Sequence, residues 1–346
     1  MPPATARARR LEVGPLRCVF AKSLSMRDGI RFHSPVTEPS APPPHGDAHP
    51  SQATLRWIAN CLGAGSRVKL VRPLPGGGTH VNHALLVETR SGTVHRLVLR
   101  RWARPGPTIA DLEFPPEREI AALALLARCE VATPALVAAD PSGAYCDAPA
   151  LLITRLVGHP PRPGPDDLPE YLIQLAAALL AIHAVDGATT MPPYAPYNGL
   201  DVRLPPRHAL RPALWAQAFD VAAGPAPGGG DHRFIHRDYH PDNTLWSYGR
   251  LTGVVDWSTA SYGPPAVDVA AMRWNLALRY GTQLAEGFLT AFRQVCGDHE
   301  HDPYWDVRAV LDLLPERGEQ AIGKPHVSLL EDYLASALAR LGSVAR

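Results

Sequence analysis

Three oxygen-bearing side chains stand close together late in the chain. Asp238 is followed five residues later by Asn243, and Asp256 comes thirteen residues beyond that. Two carboxylates and a neutral amide oxygen are the set that phosphoryl transfer from a magnesium nucleotide needs. The first carboxylate orients and deprotonates an attacking hydroxyl, while the amide and the second carboxylate offer Mg²⁺ hard oxygen ligands. These residues lie in Phe234-Ile-His-Arg-Asp-Tyr-His-Pro-Asp-Asn243 and in Gly253-Val-Val-Asp-Trp257. The interval between them fits a short hairpin: Thr244–Ser247, a turn at Tyr248-Gly249, then Leu251–Val255. Such a hairpin returns Asp256 to the side of Asn243, where both reach one metal.

Other elements must position this set. Arg67–Leu74 alternates as a strand into Pro75-Gly-Gly-Gly-Thr-His80, and Val81–Glu88 returns from it. Glycines at 76, 77 and 78 let backbone N–H groups approach a phosphate without interference from Cβ. His95–Trp102 reads as a third strand. Pro115-Pro-Glu-Arg-Glu-Ile opens a helix running to about Cys129, with Pro and two acids in its first turn. Val137–Asp140 and Ala150–Leu156 complete five strands. Helices follow at Tyr171–Val185, Pro205–Phe219, Pro265–Tyr280, Leu284–Val295, Tyr304–Leu314 and Val327–Leu341.

His-Arg-Asp with Asn five residues after the Asp is the catalytic-loop signature of kinases. With Gly-Val-Val-Asp-Trp257 and Gly263-Pro-Pro-Ala-Val-Asp-Val-Ala270, it resembles the aminoglycoside phosphotransferase and choline-kinase-like superfamily of small-molecule kinases. The likeness spans about residues 67–340 and is densest at 234–270. It implies a bilobal, protein-kinase-like α+β fold: a small antiparallel β-sheet N-lobe and a mainly α-helical C-lobe. The expected divisions are a disordered tail (1–52), a nucleotide-binding lobe (53–156) and a catalytic and substrate-binding lobe (157–346).

The resemblance also assigns roles. Asp238 becomes the catalytic base, and Asn243 and Asp256 the Mg²⁺ ligands. Gly76, Gly77 and Gly78 cover the nucleotide phosphates, and Ile153-Thr-Arg-Leu-Val-Gly158 resembles the hinge whose backbone meets the base, with Ile153 and Leu156 as its nucleotide-binding residues. His236 braces the loop, and Asp268 caps its helix and fixes that loop. Asn82 matches the Asn that follows the glycine loop. Arg100 falls where kinases carry a phosphate-pairing lysine, a replacement that keeps the charge but not the shape. Glu119 is its expected partner, with Glu117 as the alternative. Arg237 is expected to lie solvated, and Asp242 either to form the turn or to add charge near the metal.

Composition narrows the partners. The five cysteines (18, 61, 129, 146 and 296) form no Cys-x-x-Cys pair, which fits free thiols and a cytoplasmic protein. No apolar run is long enough to span a membrane. No basic stripe with interleaved aromatics supports nucleic-acid binding. Residues 157–346 hold 15 Lys+Arg against 21 Asp+Glu, compatible with a cationic acceptor, for which Asp306, Asp312, Glu316 and Glu319 are candidates. Asp298-His-Glu-His-Asp302 reads as a solvated loop, since neighbours on one loop cannot all converge on one ion. His183 reads as a packed core residue. The expected activity is transfer of the γ-phosphate of ATP, or of GTP, to a hydroxyl of an antibiotic such as an aminoglycoside or of a related metabolite. The expected protein is a monomer or homodimer. The alternative is a kinase-fold nucleotide-binding regulator with little or no catalysis.

Overall fold

Leu97 and Leu99 alternate with Val98 and Arg100, and a period of two sends the two sets to opposite faces of a sheet. In the computed structural model, which describes residues 49–74, 80–103, 114–228, 231–297, 300–314 and 322–344, that sheet has five strands. They are β1 (Arg67–Leu74), β2 (Val81–Glu88), β3 (Val94–Arg101), β4 (Leu136–Asp140) and β5 (Ala150–Thr154), antiparallel in the order β1-β2-β3-β5-β4. One face packs Leu85, Val87, Leu97, Leu99 and Leu152 against Ile58 of helix α1 (Gln52–Cys61). Wholly buried Arg101 shares that face and pairs with Asp147, which also accepts from Thr54 of α1. The opposite face carries Arg100 toward helix α2 (Pro116–Leu126), which packs on β4 and β5.

The second lobe is helical: α3 (Leu168–His183), α4 (Pro212–Ala223), α5 (Ala266–Tyr280), α6 (Thr282–Cys296), α7 (Pro303–Leu311) and α8 (Lys324–Val344). Trp215, Phe219, Val307, Leu311, Tyr333 and Leu334 are buried together where α4, α7 and α8 meet. At roughly 1.5–3 kcal/mol per large apolar side chain, this core is the main anchor of the lobe. Two short ladders hold the loops. β6 (Arg233–Ile235) pairs with β9 (Ser261–Gly263), closing the base of the segment between them. Inside that segment, β7 (Thr244–Ser247) pairs with β8 (Arg250–Val254).

The β7–β8 hairpin turns at Tyr248 and Gly249, with φ of 50° and 71°. Two left-handed residues in a two-residue turn match the twist of the flanking strands. The helix expected from Pro205 begins only at Pro212. Pro205-Pro206 is non-helical, Arg211 (φ −126°, ψ 68°) is held out of the helix by the proline that follows it, and Glu331 accepts from the Leu210 and Arg211 N–H groups. The expected tail through residue 48, the glycines 76–78, and Glu316 and Glu319 lie outside the described residues. No described helix is long and apolar enough to cross a membrane, and the four described cysteines are unbridged.

Candidate active site

Asp268, at the start of α5, anchors the loop that carries Asp238. Its fully buried carboxylate accepts from the backbone N–H groups of His236 (2.8 Å) and Arg237 (2.6 Å) and faces Nε2 of His183 at 2.9 Å. It makes no side-chain cap on α5, contrary to the expected capping role; it binds the loop instead. Arg237 takes a left-handed φ of 69°, a conformation that costs an L-residue about 1 kcal/mol. His236 ties the loop to the hairpin, with Nε2 2.9 Å from the Val255 carbonyl and Nδ1 accepting from the Asp238 N–H at 3.3 Å. The Val255 N–H in turn donates to the Asn243 carbonyl at 2.9 Å, which brings Asp256 to the side of Asn243.

Asp238 is held by one oxygen. Asn243 Nδ2 donates to its carbonyl (2.9 Å) and to Oδ2 (3.2 Å), and His240 Nε2 faces the same Oδ2 at 3.5 Å. His240 Nδ1 accepts from the Asp242 N–H at 3.2 Å, so in the neutral ring the proton sits on Nε2, toward Asp238. Burial disfavours the Asp238 carboxylate, yet His240 and His236 outweigh it and keep its pKa below the ordinary value. His240 moves the opposite way: burial lowers its pKa, but Asp238 and Asp242 raise it further. The Asp238 side chain remains 46% exposed, and Oδ1 has no partner among the described residues. With Asn243 Nδ2 turned to Asp238, Asn243 Oδ1 accepts no hydrogen bond from the described residues.

Arg100 links the lobes. Its Nη1 lies 2.9 Å from both oxygens of Glu119 and 2.8 Å from Asp256 Oδ1, and Nε donates to Asn82 Oδ1, its cross-strand partner, at 3.2 Å. Arg100 and Glu119 are both buried, whereas Glu117 is exposed, so Glu119 makes the pair. Asp256 stands at a left-handed φ of 68°. Burial would raise its pKa, but Arg100 and His80 bring it down to about 2. Ser258 also donates to Oδ1, and no hydrogen bond reaches Oδ2 among the described residues. Asp256 Oδ2 and Asn243 Oδ1 thus form a hard-oxygen pair suited to Mg²⁺, which takes one or two protein ligands beside phosphates and water. No group of three or more His, Cys, Asp or Glu suited to a metal occurs among the described residues.

Ile153, at the end of β5, is buried, and Leu156 beyond it is half-buried. At Gly253, three residues before Asp256, an added Cβ would lie 2.5 Å from Leu156 Cδ1 and 2.9 Å from the Ala132 carbonyl. Leu156 therefore packs directly on β8, which ends two residues before Asp256. Asp242, left open in the sequence, pairs with Arg279 of α5.

A cavity opens beside Asp238. Tyr194 and Tyr197, Trp274 of α5 and Trp305 of α7 line it together with Arg237 and Arg308. Arg237, expected in solvent, is buried: its guanidinium lies 3.9 Å from the Tyr197 ring centre and 5.2 Å from that of Phe114, and it donates to the Ala195 carbonyl. Asp312 also lines the cavity, but Asp306 is wholly buried in another cluster and His301 is buried against it, so neither is in solvent. Sequence reasoning gave no role to His240 or to the aromatic walls. The His two residues after the Asp was a usable signal; the walls, spread over 112 residues, left none.

The sequence profile of the Phosphotransferase enzyme family matches residues 70–311. A search of curated protein sequences finds no match. Among solved structures, the chain resembles the macrolide 2'-phosphotransferase MphH from Brachybacterium faecium, with 19% identity and a TM-score of 0.51 over 85% of this chain and 93% of that one. It also resembles a thermostable mutant of aminoglycoside phosphotransferase APH(4)-Ia, solved with AMP-PNP and hygromycin B, at 17% identity and a TM-score of 0.58 over 84% and 98%. A GDP complex of an aminoglycoside 2'-phosphotransferase IIIa gives 20% identity and 0.52 over 80% and 91%. At these identities the structures establish a shared bilobal, kinase-like fold. The profile covers well over half the sequence, and the chain belongs to the Phosphotransferase enzyme family, whose activity is phosphoryl transfer to a hydroxylated small molecule.

Proposed function

We propose that this chain is a kinase that transfers the γ-phosphoryl group of ATP or GTP to a hydroxyl of a small acceptor, an antibiotic or a metabolite of comparable size. One observation carries the reading: Asp238 is bonded to Asn243, whose carbonyl takes the Val255 N–H next to Asp256, and Asp256 is bonded to the Arg100–Glu119 pair, beside a cavity that reaches Asp238. Asp238 Oδ1 takes the proton of the acceptor hydroxyl. The hydroxyl oxygen forms a bond to the γ-phosphorus as the bridging bond to the β-phosphate breaks, and the electron pair leaves with the nucleoside diphosphate. Asn243 and Asp256 would hold Mg²⁺, which when bound would neutralise charge on the phosphate oxygens. Arg100, fixed by Glu119 and Asn82, supplies positive charge at the same place, and Gly76–Gly78 cover the phosphates. The backbone between Ile153 and Leu156 meets the base. His236, His240 and Asp268 hold the loop.

Mg-dependent turnover of ATP and GTP against a panel of hydroxylated acceptors tests this, with Asp238→Asn run alongside. The expected result is acceptor-stimulated ADP or GDP release that disappears in the variant. Stimulated release that survives in Asp238→Asn removes Asp238 as the base. A nucleotide-binding regulator is the second reading, favoured by the Arg100–Asp256 bond that occupies one oxygen of the metal carboxylate. Tight nucleotide binding without turnover on any acceptor would select it.

A further inference from the structure

The cavity beside Asp238 carries information about the acceptor that the catalytic loop does not. Its walls are mostly carbon: the rings of Tyr194, Tyr197, Trp274 and Trp305, with Val267 and Ala271 of α5 between them. Its charges other than Asp238 are already engaged. Apart from Asp238, the only carboxylate among the described lining residues is Asp312, set against two guanidiniums, Arg237 and Arg308. Asp312 Oδ1 accepts from Arg308 Nη2 at 2.8 Å and from the Asn198 N–H at 3.1 Å, and Oδ2 from the Tyr194 hydroxyl at 3.4 Å. Burial outweighs Arg308 and raises the Asp312 pKa above its ordinary value, which makes this carboxyl a poor anchor for an ammonium group. A molecule with several ammonium groups would surrender their hydration here and find guanidiniums in return. An apolar face gains where the polycation loses, because large aromatic surfaces leave water on contact. One ammonium group remains acceptable, since it can rest over an indole or phenol ring.

We propose that the acceptor is an amphipathic alcohol: a hydroxylated ring compound with a broad apolar face and at most one positive charge, which lays that face on Tyr197, Trp274 and Trp305 and presents its hydroxyl to Asp238 Oδ1. The inference rests on the kinase reading of this site, and it sets polycationic aminoglycosides apart from the preferred acceptors.

The test uses the full chain and two probes of contrasting chemistry. Erythromycin has one amine and a wide apolar ring; kanamycin is a hydrophilic polycation. Trp274 and Trp305 line the cavity, so tryptophan fluorescence reports occupancy without requiring turnover. The expected result is saturable quenching by erythromycin, with a Kd at least about 10-fold below that for kanamycin, little changed between low and physiological salt. Trp274→Ala should weaken erythromycin about 10-fold or more. Ala271→Asp, which installs a carboxylate in the wall, should narrow or invert the preference. Tighter binding of kanamycin, failure of erythromycin to saturate by millimolar concentration, or indifference to both substitutions would overturn the proposal. Erythromycin binding without phosphorylation would leave the cavity assignment standing and count against the kinase reading alone, so the two failures are distinguishable.

Discussion

Asp306 and Asp256 are both aspartates drawn among arginines, and they are completed to different degrees. Asp306 is wholly buried and accepts from Arg273 Nε (3.0 Å) and Nη2 (3.2 Å), His301 Nε2 (2.9 Å), the Tyr333 hydroxyl (2.8 Å) and Arg340 Nη2 (2.7 Å). Both of its oxygens are saturated, by donors on α5, α8 and the segment before α7. Asp256 accepts on Oδ1 from Arg100 and Ser258, and 29% of its side chain faces the cleft. Low pKa values mark both groups, so that property does not separate structure from chemistry. Unused valence does: a saturated carboxylate fastens helices together, and a half-used one can still take a ligand.

Substitutions should divide along the same line. The largest effect is expected at the half-used carboxylates. Asp238→Asn should lower kcat by about 10²–10⁴-fold, and Asp256→Asn by about 10³-fold, equivalent to ~4 kcal/mol. Melting temperatures should stay near that of the parent chain. Steady-state kinetics beside thermal melts give both numbers. Asp306→Asn should reverse the pattern. It leaves the buried Arg273 guanidinium without its main counter-charge, at a cost of about 3–5 kcal/mol in urea unfolding, with kcat per folded molecule preserved. If Asp306→Asn instead abolished turnover without loss of stability, the division would be wrong.

Acid should probe the saturated cluster directly. Asp306 has its pKa depressed below the ordinary 3.8, with burial opposing and His301 and Arg273 overcoming it. A group of this kind adds stability that is fully present above the unfolded pKa and shrinks as pH falls toward the folded value. Stability measured downward from about pH 4 should therefore decline less steeply in Asp306→Asn than in the parent chain. Equal slopes would show that the carboxylate is not the group being titrated.

The same contrast explains what was legible in the sequence. Asp238, Asn243 and Asp256 fall within 19 residues, and the turn that reunites them is written in Tyr248-Gly249, so short-range rules were sufficient. The five strands were legible too, each to within two residues at its ends, beginning with the alternation of Arg67–Leu74. Asp306 was misjudged as an acceptor-binding candidate because its donors come from positions 273, 301, 333 and 340, and no local pattern shows that they converge. Arg237 was misplaced in solvent for a related reason: its cover comes from Phe114, Tyr194 and Tyr197. Charged side chains are exposed by default in sequence reasoning, and only tertiary partners override that default.

Arg100 stands between the two classes, buried like Asp306 yet bonded to the half-used carboxylate of Asp256. A guanidinium can address Glu119, Asp256 and Asn82 from one rigid fork, whereas an ammonium presents three donors at one point. Arg100→Lys should lose the Asn82 contact and cost about 1–3 kcal/mol of stability. It should also release Asp256 Oδ1 in part and change the nucleotide KM more than the acceptor KM. Unchanged stability with an altered acceptor KM would mean that the fork serves the acceptor side.

Asp238 offers the finest division, because one of its oxygens is held and the other is open. His240 contributes to that hold in a way that can be separated from its local structural role. Its Nδ1 accepts from the Asp242 N–H and caps the short 3₁₀ turn Pro241–Asn243, while its Nε2 faces Asp238 Oδ2. Asparagine is among the best residues for such a cap, but its shorter side chain cannot also reach Asp238. If His240 matters only as a cap, His240→Asn should be silent in both stability and rate. If it fixes the carboxylate so that Oδ1 meets the acceptor, the melting temperature and nucleotide KM should hold while kcat falls about 10-fold, equivalent to ~1.4 kcal/mol. Gln extends the amide by one carbon and can restore a donor near Oδ2, so His240→Gln should recover part of that loss. A loss in Asn with recovery in Gln belongs to positioning, because a cap alone would favour Asn.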